Sequence, residues 1–309
     1  WSRELIERLE IPAEIMPGVY ASSDIIGRVQ STAAADTGLA AGTPVVAGGA
    51  DQPVAALGNG VIKEGLVLAT IGTGGQLFTP IDTPRFDPRL RTHTFCHVLP
   101  DEWYVMGATL CAGLSLKWFR DNIGPAPYDQ LCAEAQEMSL GSEGLLFLPY
   151  LVGERTPHMD PTARGVFFGL TLRHGRGHLV RAILEGVVLA LRDSLEIFKE
   201  LGIRIDRIIA SGGGAKNLLW RQIQADIFGT DVMTTNIREQ AGVGAAMLAG
   251  IGTGLFNSPG EACDRIIRYS RMTHPIPENC ERYNELYEIF KGLYPKLKED
   301  FGKIAQKFP

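Results

Sequence analysis

Cysteine is sparse in this sequence and follows no pattern. Five cysteines are scattered over 309 residues, an odd number with no C-x-x-C pair. That excludes a disulfide framework or a structural zinc site and suits the reduced thiols of a cytoplasmic protein. Long apolar runs are also missing. The longest, around Val187-Val188-Leu189-Ala190-Leu191, stops at Arg192 and is too short to cross a bilayer, so no membrane partner is expected. No signal-peptide pattern opens the chain and no Met stands first. Trp1-Ser2-Arg3-Glu4-Leu5 begins inside an amphipathic helix pattern, and the chain reads as cut from something longer. There is no surplus of basic charge: a formal net charge of −5 with 21% charged residues gives no general attraction for nucleic acid. Low-complexity tracts and short repeats are absent. So are the P-loop and dinucleotide fingerprints, since Lys216 is followed by Asn217 and Gly74-Gly75-Gln76 by Leu77.

Glycine is plentiful, with 36 residues that gather in particular turns of an otherwise ordinary, 45% hydrophobic composition. The length suits about two domains. Thr43-Pro44-Val45-Val46-Ala47 is a short β-branched and apolar run, a strand, and it leads into Gly48-Gly49-Ala50-Asp51-Gln52-Pro53. Val54-Ala55-Ala56-Leu57 continues as helix, with Pro53 in the first turn where its missing N–H costs nothing. Asp51 therefore stands where a strand hands over to a helix. It is either a fixed proton acceptor, favoured as the anion by first-turn amides, or a plain helix cap.

Leu66 to Ile71 and Gln76 to Thr79 form a hairpin around Gly72-Thr73-Gly74-Gly75, and Thr92 to Leu99 and Trp103 to Met106 add strands. Helices follow at Cys111 to Asn122 and Tyr128 to Met138. Leu145 to Tyr150 and Val166 to Leu170 are extended, and the longest helix runs from about His178 to Leu201. Arg207 to Ala210 is a strand with the glycine-rich exit Ser211-Gly212-Gly213-Gly214-Ala215. A helix from Asn217 to Phe228, a strand from Asp231 to Thr235 and a Gly/Ala helix from Ala241 to Ile251 complete the pattern. The C-terminal helices carry a solvated charged face from Glu281 to Lys303. Both glycine turns follow strands, so each is either an anion-binding concavity of backbone amides or an ordinary tight turn.

Other features point to scaffold. His93 and His97, like His174 and His178, are four apart but lack a third ligand, so no metal site is expected. Glu154 and Asp160 could pair as glycosidase carboxylates, but Arg155 between them favours an ion-paired loop. Trp118, Phe167 and Phe168 read as core or nucleotide-side packing.

In combination and order, these segments resemble the FGGY carbohydrate kinases over essentially the whole chain. Gly48 to Gln52 matches the catalytic segment and Ile71 to Gly74 the phosphate-binding hairpin. Gly165 to Leu170 with His178 to Ala182 is similar to the second family signature, and Ser211 to Asn217 with Trp220-Arg221-Gln222 to the adenosine motif. Tyr150 to Pro157 with Asp160-Pro161 is most similar to the xylulokinase branch, although xylulokinases more often carry Asn at the position of Gln52.

The resemblance implies an α/β, ribonuclease-H-like, actin-like ATPase fold whose first domain is incomplete. Residues 1–63 would be the remnant of the sugar-binding domain and 64–309 the nucleotide-binding domain. It implies ATP with Mg²⁺, and transfer of the γ-phosphate to a primary hydroxyl of a sugar, D-xylulose before L-ribulose, D-gluconate or glycerol. By the same resemblance Asp51 is the general base and Gln52 a sugar contact. Gly72, Thr73 and Gly74 cradle the phosphates, Gly113 approaches the nucleotide, and Gly213, Gly214 and Asn217 hold adenine and ribose. No residue here is assigned to a metal, because the family's metal-associated Asp has no counterpart in this chain. The chain alone is expected to be a poor catalyst, and a homodimer is compatible with the family. A non-catalytic nucleotide- or sugar-sensing module on the same fold is the alternative.

Overall fold

The computed structural model describes residues 1–270 and 272–308. The first part of the chain is small and open: α1 (Arg3–Arg8), then β1 (Ile25–Arg28), α2 (Ser31–Thr37) and β2 (Pro44–Val46). β1 and β2 pair antiparallel, and α2 ends at Gly38 in the left-handed conformation. No residue before Pro53 is buried, so this part supplies almost nothing to a core of its own.

From α3 (Asp51–Gly58) onward the chain builds a layered core. β3 (Gly65–Ile71), β4 (Gly75–Ile81), β5 (His93–Cys96) and β6 (Trp103–Thr109) precede α4 (Gly113–Asn122) and α5 (Tyr128–Gln136). β7 (Leu146–Leu148) and β8 (Val166–Phe168) form a separate hairpin sheet. α6 (Arg176–Glu200), β9 (Ile205–Gly212), α7 (Leu218–Phe228), β10 (Val232–Met233) and α8 (Gln240–Gly252) come next. α9 (Pro259–Ile266), α10 (Pro277–Lys291) and α11 (Leu293–Lys307) close the chain. The main sheet has the order β10-β9-β3-β4-β6-β5. β3, β9 and β10 run parallel and the other pairs antiparallel.

Alternation along the strands divides the apolar side chains between two faces. Val67, Ala69, Ile71, Leu77 and Val105 join the larger core under α4 to α7, and α6 is buried along most of its 25 residues, as an almost all-round apolar helix must be. Leu68, Phe78, Tyr104 and Met106 point to the other face, where α3 contributes Ala56. α3 also crosses α8 at very close range. A methyl on Gly244 would collide with the Val54 carbonyl oxygen, and one on Gly58 with that of Gln240. Gly244→Ala is therefore expected to lower stability by about 1–3 kcal/mol, read by denaturant unfolding.

Three expectations need correction. β5 stops at Cys96 instead of reaching Leu99, because His97 turns back to bond Glu102 (2.8 Å). β10 is only two residues long. The C-terminal helices are not merely a solvated charged surface: Tyr283, Tyr287, Phe290, Leu293, Tyr294 and Phe301 are buried and form one side of the larger core.

Candidate nucleotide site

β3 and β9 are parallel neighbours in register Ile71↔Gly212, so the turns leaving them emerge side by side at the carboxyl end of the sheet. That end is where open α/β sheets bind ligands. The hairpin turn is closed by Gly72 N donating to the Gly74 carbonyl (2.9 Å), which leaves Thr73 exposed at its tip. Gly212 has φ +76°, and a Cβ there would lie 2.5 Å from the Ile71 carbonyl oxygen. Only glycine meets both conditions. At the start of α4, a Cβ on Gly113 would lie 2.5 Å from the Gly72 carbonyl oxygen. The bareness of these turns lets three backbone segments stack at contact distance.

Together they open onto a cavity of about 690 Å³. It is lined by Gly72 and Thr73, by Gly113, and by Gly213, Gly214 and Asn217. Six of the nine site residues expected from sequence thus share one space. Gly74 belongs to the same turn without lining the cavity. Asn217 caps α7, its Oδ1 accepting from Trp220 N (3.0 Å), so that oxygen is already engaged.

Sequence reading missed the opposite wall, where α5 presents Asp129, Cys132 and Gln136 at three- and four-residue intervals, with Tyr128 at its start. Lys117 and Lys216 also line the cavity, Lys117 with its ammonium paired to Asp121 (2.5 Å), and the spacing on α5 was the one signal available for that wall. Burial pushes the Cys132 thiol up, which keeps it an uncharged part of the lining.

Asp51 and Gln52 are not among the cavity residues. Asp51 is exposed in the first turn of α3. Its Oδ1 accepts from Gln52 N (2.8 Å) and its Oδ2 from Gln52 Nε2 (3.3 Å). The cap position belongs to Ala50, without a side-chain bond, so Asp51 is not the helix cap that its residue type allows. Its charge is felt at Tyr104 on β6, whose hydroxyl is pushed up by burial first and by Asp51 second. Tyr104 lies on the face of the sheet where α3, the helix that Asp51 opens, packs through Ala56.

Glu154 and Asp160 do not form the expected ion-paired loop. Arg155 turns to His93 (Nε2, 2.7 Å), while Glu154 Oε1 accepts the backbone N–H groups of Arg155 and Leu110 (2.6 and 3.0 Å). Asp160 accepts from Thr162 and from the Tyr294 hydroxyl. Both carboxylates are buried, and no cluster of three His, Cys, Asp or Glu side chains occurs among the described residues. His97, His174 and His178 each accept a backbone N–H at Nδ1 within their own turns.

Burial pushes Glu154 up to about 8 and Asp193 up to about 7, the latter opposed by the Tyr287 hydroxyl (2.6 Å). A carboxyl raised by folding stabilises below its unfolded value near 4, and that contribution is lost as pH rises through the folded value. Stability is therefore expected to fall by a few kcal/mol between about pH 4 and pH 8. Asp193→Asn should flatten that fall in unfolding midpoints measured across the range. Asp87 acts the other way: Arg91 holds it at about 2, so its contribution is lost as pH falls through that value.

The profile of the FGGY family of carbohydrate kinases matches twice, with its N-terminal domain over residues 1–58 and its C-terminal domain over 67–253. The chain is 39% identical over 300 residues to a xylulose kinase of Bacillus subtilis, covering 97% of this chain and 60% of that protein. It is 35% identical over 318 residues to a gluconokinase of the same organism, covering 99% of this chain and 61% of the relative. A ligand-bound xylulose kinase from Lactobacillus acidophilus superposes with a TM-score of 0.93 at 26% identity, covering 98% of this chain and 62% of that one. The chain thus spans about 60% of the length of the curated relatives it matches, and its fold is the actin-like ATPase fold of these neighbours.

Proposed function

Because the chain belongs to the FGGY family of carbohydrate kinases, we propose that it is part of an ATP-dependent kinase that phosphorylates a primary hydroxyl of a ketose, D-xylulose in the first place. The observation that carries this reading is the meeting of the β3 and β9 exits over one cavity lined by Gly72, Thr73, Gly113, Gly213, Gly214 and Asn217. In this reading the phosphates lie along Gly72, Thr73 and Gly74, and the nucleoside lies between Gly213–Asn217 and α5. Residues 1–63 belong to the sugar lobe and 64–309 to the nucleotide lobe. Asp51 takes the proton of the attacking hydroxyl and Gln52 contacts the sugar. Phosphoryl transfer asks mainly for positioning and charge stabilisation, which a bare turn of backbone amides suits. With no carboxylate cluster among the described residues, Mg²⁺ would be held chiefly by phosphate oxygens and water, as its reluctance to dehydrate favours.

The part of the relatives that this chain does not span is taken to complete the sugar pocket, so turnover belongs to the full-length protein. The test is ADP release, enzymatically coupled, from full-length protein given D-xylulose, L-ribulose, D-gluconate or glycerol. D-xylulose is expected to give the highest kcat/KM, and no sugar-dependent release from any of the four would overturn the reading. Gluconate is the second candidate, supported by the 35% identity to a gluconokinase over nearly the whole chain.

A further inference from the structure

β5 pairs with β6 only from Trp103 to Met106, so the outer edge of β6 has no strand beside it from Gly107 onward. The loop at 154–156 takes that place. Thr156 N donates to the Ala108 carbonyl (2.9 Å), and Ala108 N donates back to Thr156 Oγ1 (3.1 Å). The next outward N–H, that of Leu110, donates to Glu154 Oε1 (3.0 Å). Two side chains, two residues apart, thus stand in for the carbonyls of a missing strand.

The residues just after Leu110 hold the hairpin turn. Ala112 N and Leu114 N both donate to the Thr73 carbonyl (3.0 and 3.1 Å), and Gly113 N donates to that of Gly72 (2.8 Å). Three successive N–H groups therefore fix the turn from below, and the segment that carries them is anchored at its start by Glu154. The anchor is costly. Glu154 is 2% exposed and its Oε2 has no hydrogen-bond partner, whereas a buried polar atom is normally satisfied. What the anchor needs is one acceptor oxygen at this reach, which Oε1 supplies to both Leu110 N and Arg155 N and which a Leu of similar volume would not.

We propose that Glu154 is a positioning residue for the phosphate end of the cavity, setting the Gly72–Gly74 turn through Leu110 and the 112–114 amides. The inference rests on the nucleotide reading above and adds a specific division of labour. Loss of the anchor weakens binding through the phosphates and leaves the nucleoside end, at Gly213 to Asn217, intact.

The test is calorimetric titration of the full-length protein with ATP, ADP and adenosine, in the wild type, Glu154→Gln and Glu154→Asp, with melting temperatures recorded alongside. Gln keeps the acceptor oxygen at the same reach and is expected to bind ATP within about threefold of wild type. Asp is one methylene short of Leu110 N. It is expected to lose about tenfold or more for ATP and ADP, roughly 1.4 kcal/mol per decade, with adenosine changed less than about twofold. ATP affinity unchanged in Glu154→Asp, or ATP and adenosine weakened in equal proportion, overturns the proposal. Should Glu154→Asp fail to fold, Glu154→Leu, of similar volume and without an acceptor, decides: a tenfold or greater loss for ATP with adenosine little changed supports the anchor, and unchanged ATP affinity overturns it. A wild type that binds neither ATP nor adenosine defeats the nucleotide reading itself, an outcome distinct from a failed anchor.

Discussion

Asp51→Asn in the full-length protein is expected to lower kcat for sugar phosphorylation by about 10²–10⁴, the usual contribution of a positioned general base. ATP affinity should stay within about twofold of wild type, because Asp51 does not line the cavity. The expected split comes from where the side chain stands. It opens α3 on one face of the sheet, while α4 and α5 wall the cavity from the other. Asn keeps a similar shape, but its neutral amide is a far weaker proton acceptor. Steady-state kinetics with a separate ATP titration measures both quantities. Loss of ATP affinity in step with kcat would place Asp51 in nucleotide binding instead, and an unchanged kcat would remove it from the reaction.

Gly213→Leu should have the opposite signature. Gly213 is exposed on the cavity wall, and a Cβ there meets nothing closer than the Ile71 carbonyl oxygen at 3.7 Å, an ordinary contact. The fold can therefore accept a side chain that the cavity cannot share with a nucleoside. ATP and adenosine affinity are both expected to fall by about 100-fold, near 2.7 kcal/mol, with the melting temperature within a few degrees of wild type. Gly214→Leu is no substitute for this test, because its Cβ would lie 2.7 Å from the Cβ of Ile71 and disturb packing as well.

Local pattern made much of this legible. The β3–β4 hairpin, the long apolar helix α6 and the two glycine exits are written in short-range periodicity, and the structure has them where the sequence placed them to within a few residues. What the sequence hid is what tertiary packing decides. The α5 wall carries Asp129 and Gln136, ordinary surface residues until the chain folds them against the turns. The C-terminal helices looked solvated because their aromatic residues are largely tyrosines. The hydroxyls of Tyr283, Tyr287 and Tyr294 find buried carboxylates at Glu185, Asp193 and Asp160, and the rings go inside with them. Glu154 beside Arg155 suggested an ion pair, yet the backbone N–H groups of Arg155 itself and of Leu110, just past the end of β6, claim the carboxyl oxygen first. Asp51 lies only some twenty residues before the hairpin turn, yet it stands exposed in the first turn of α3 and does not line the cavity.

The decisive measurement is a crystal structure with a non-hydrolysable ATP analogue. The phosphates are expected against the Gly72–Gly74 turn, at the amides of Thr73 and Gly74, with the base between the Gly213–Asn217 turn and α5. An analogue bound elsewhere on the molecule, with this cavity left to solvent, would contradict the nucleotide reading.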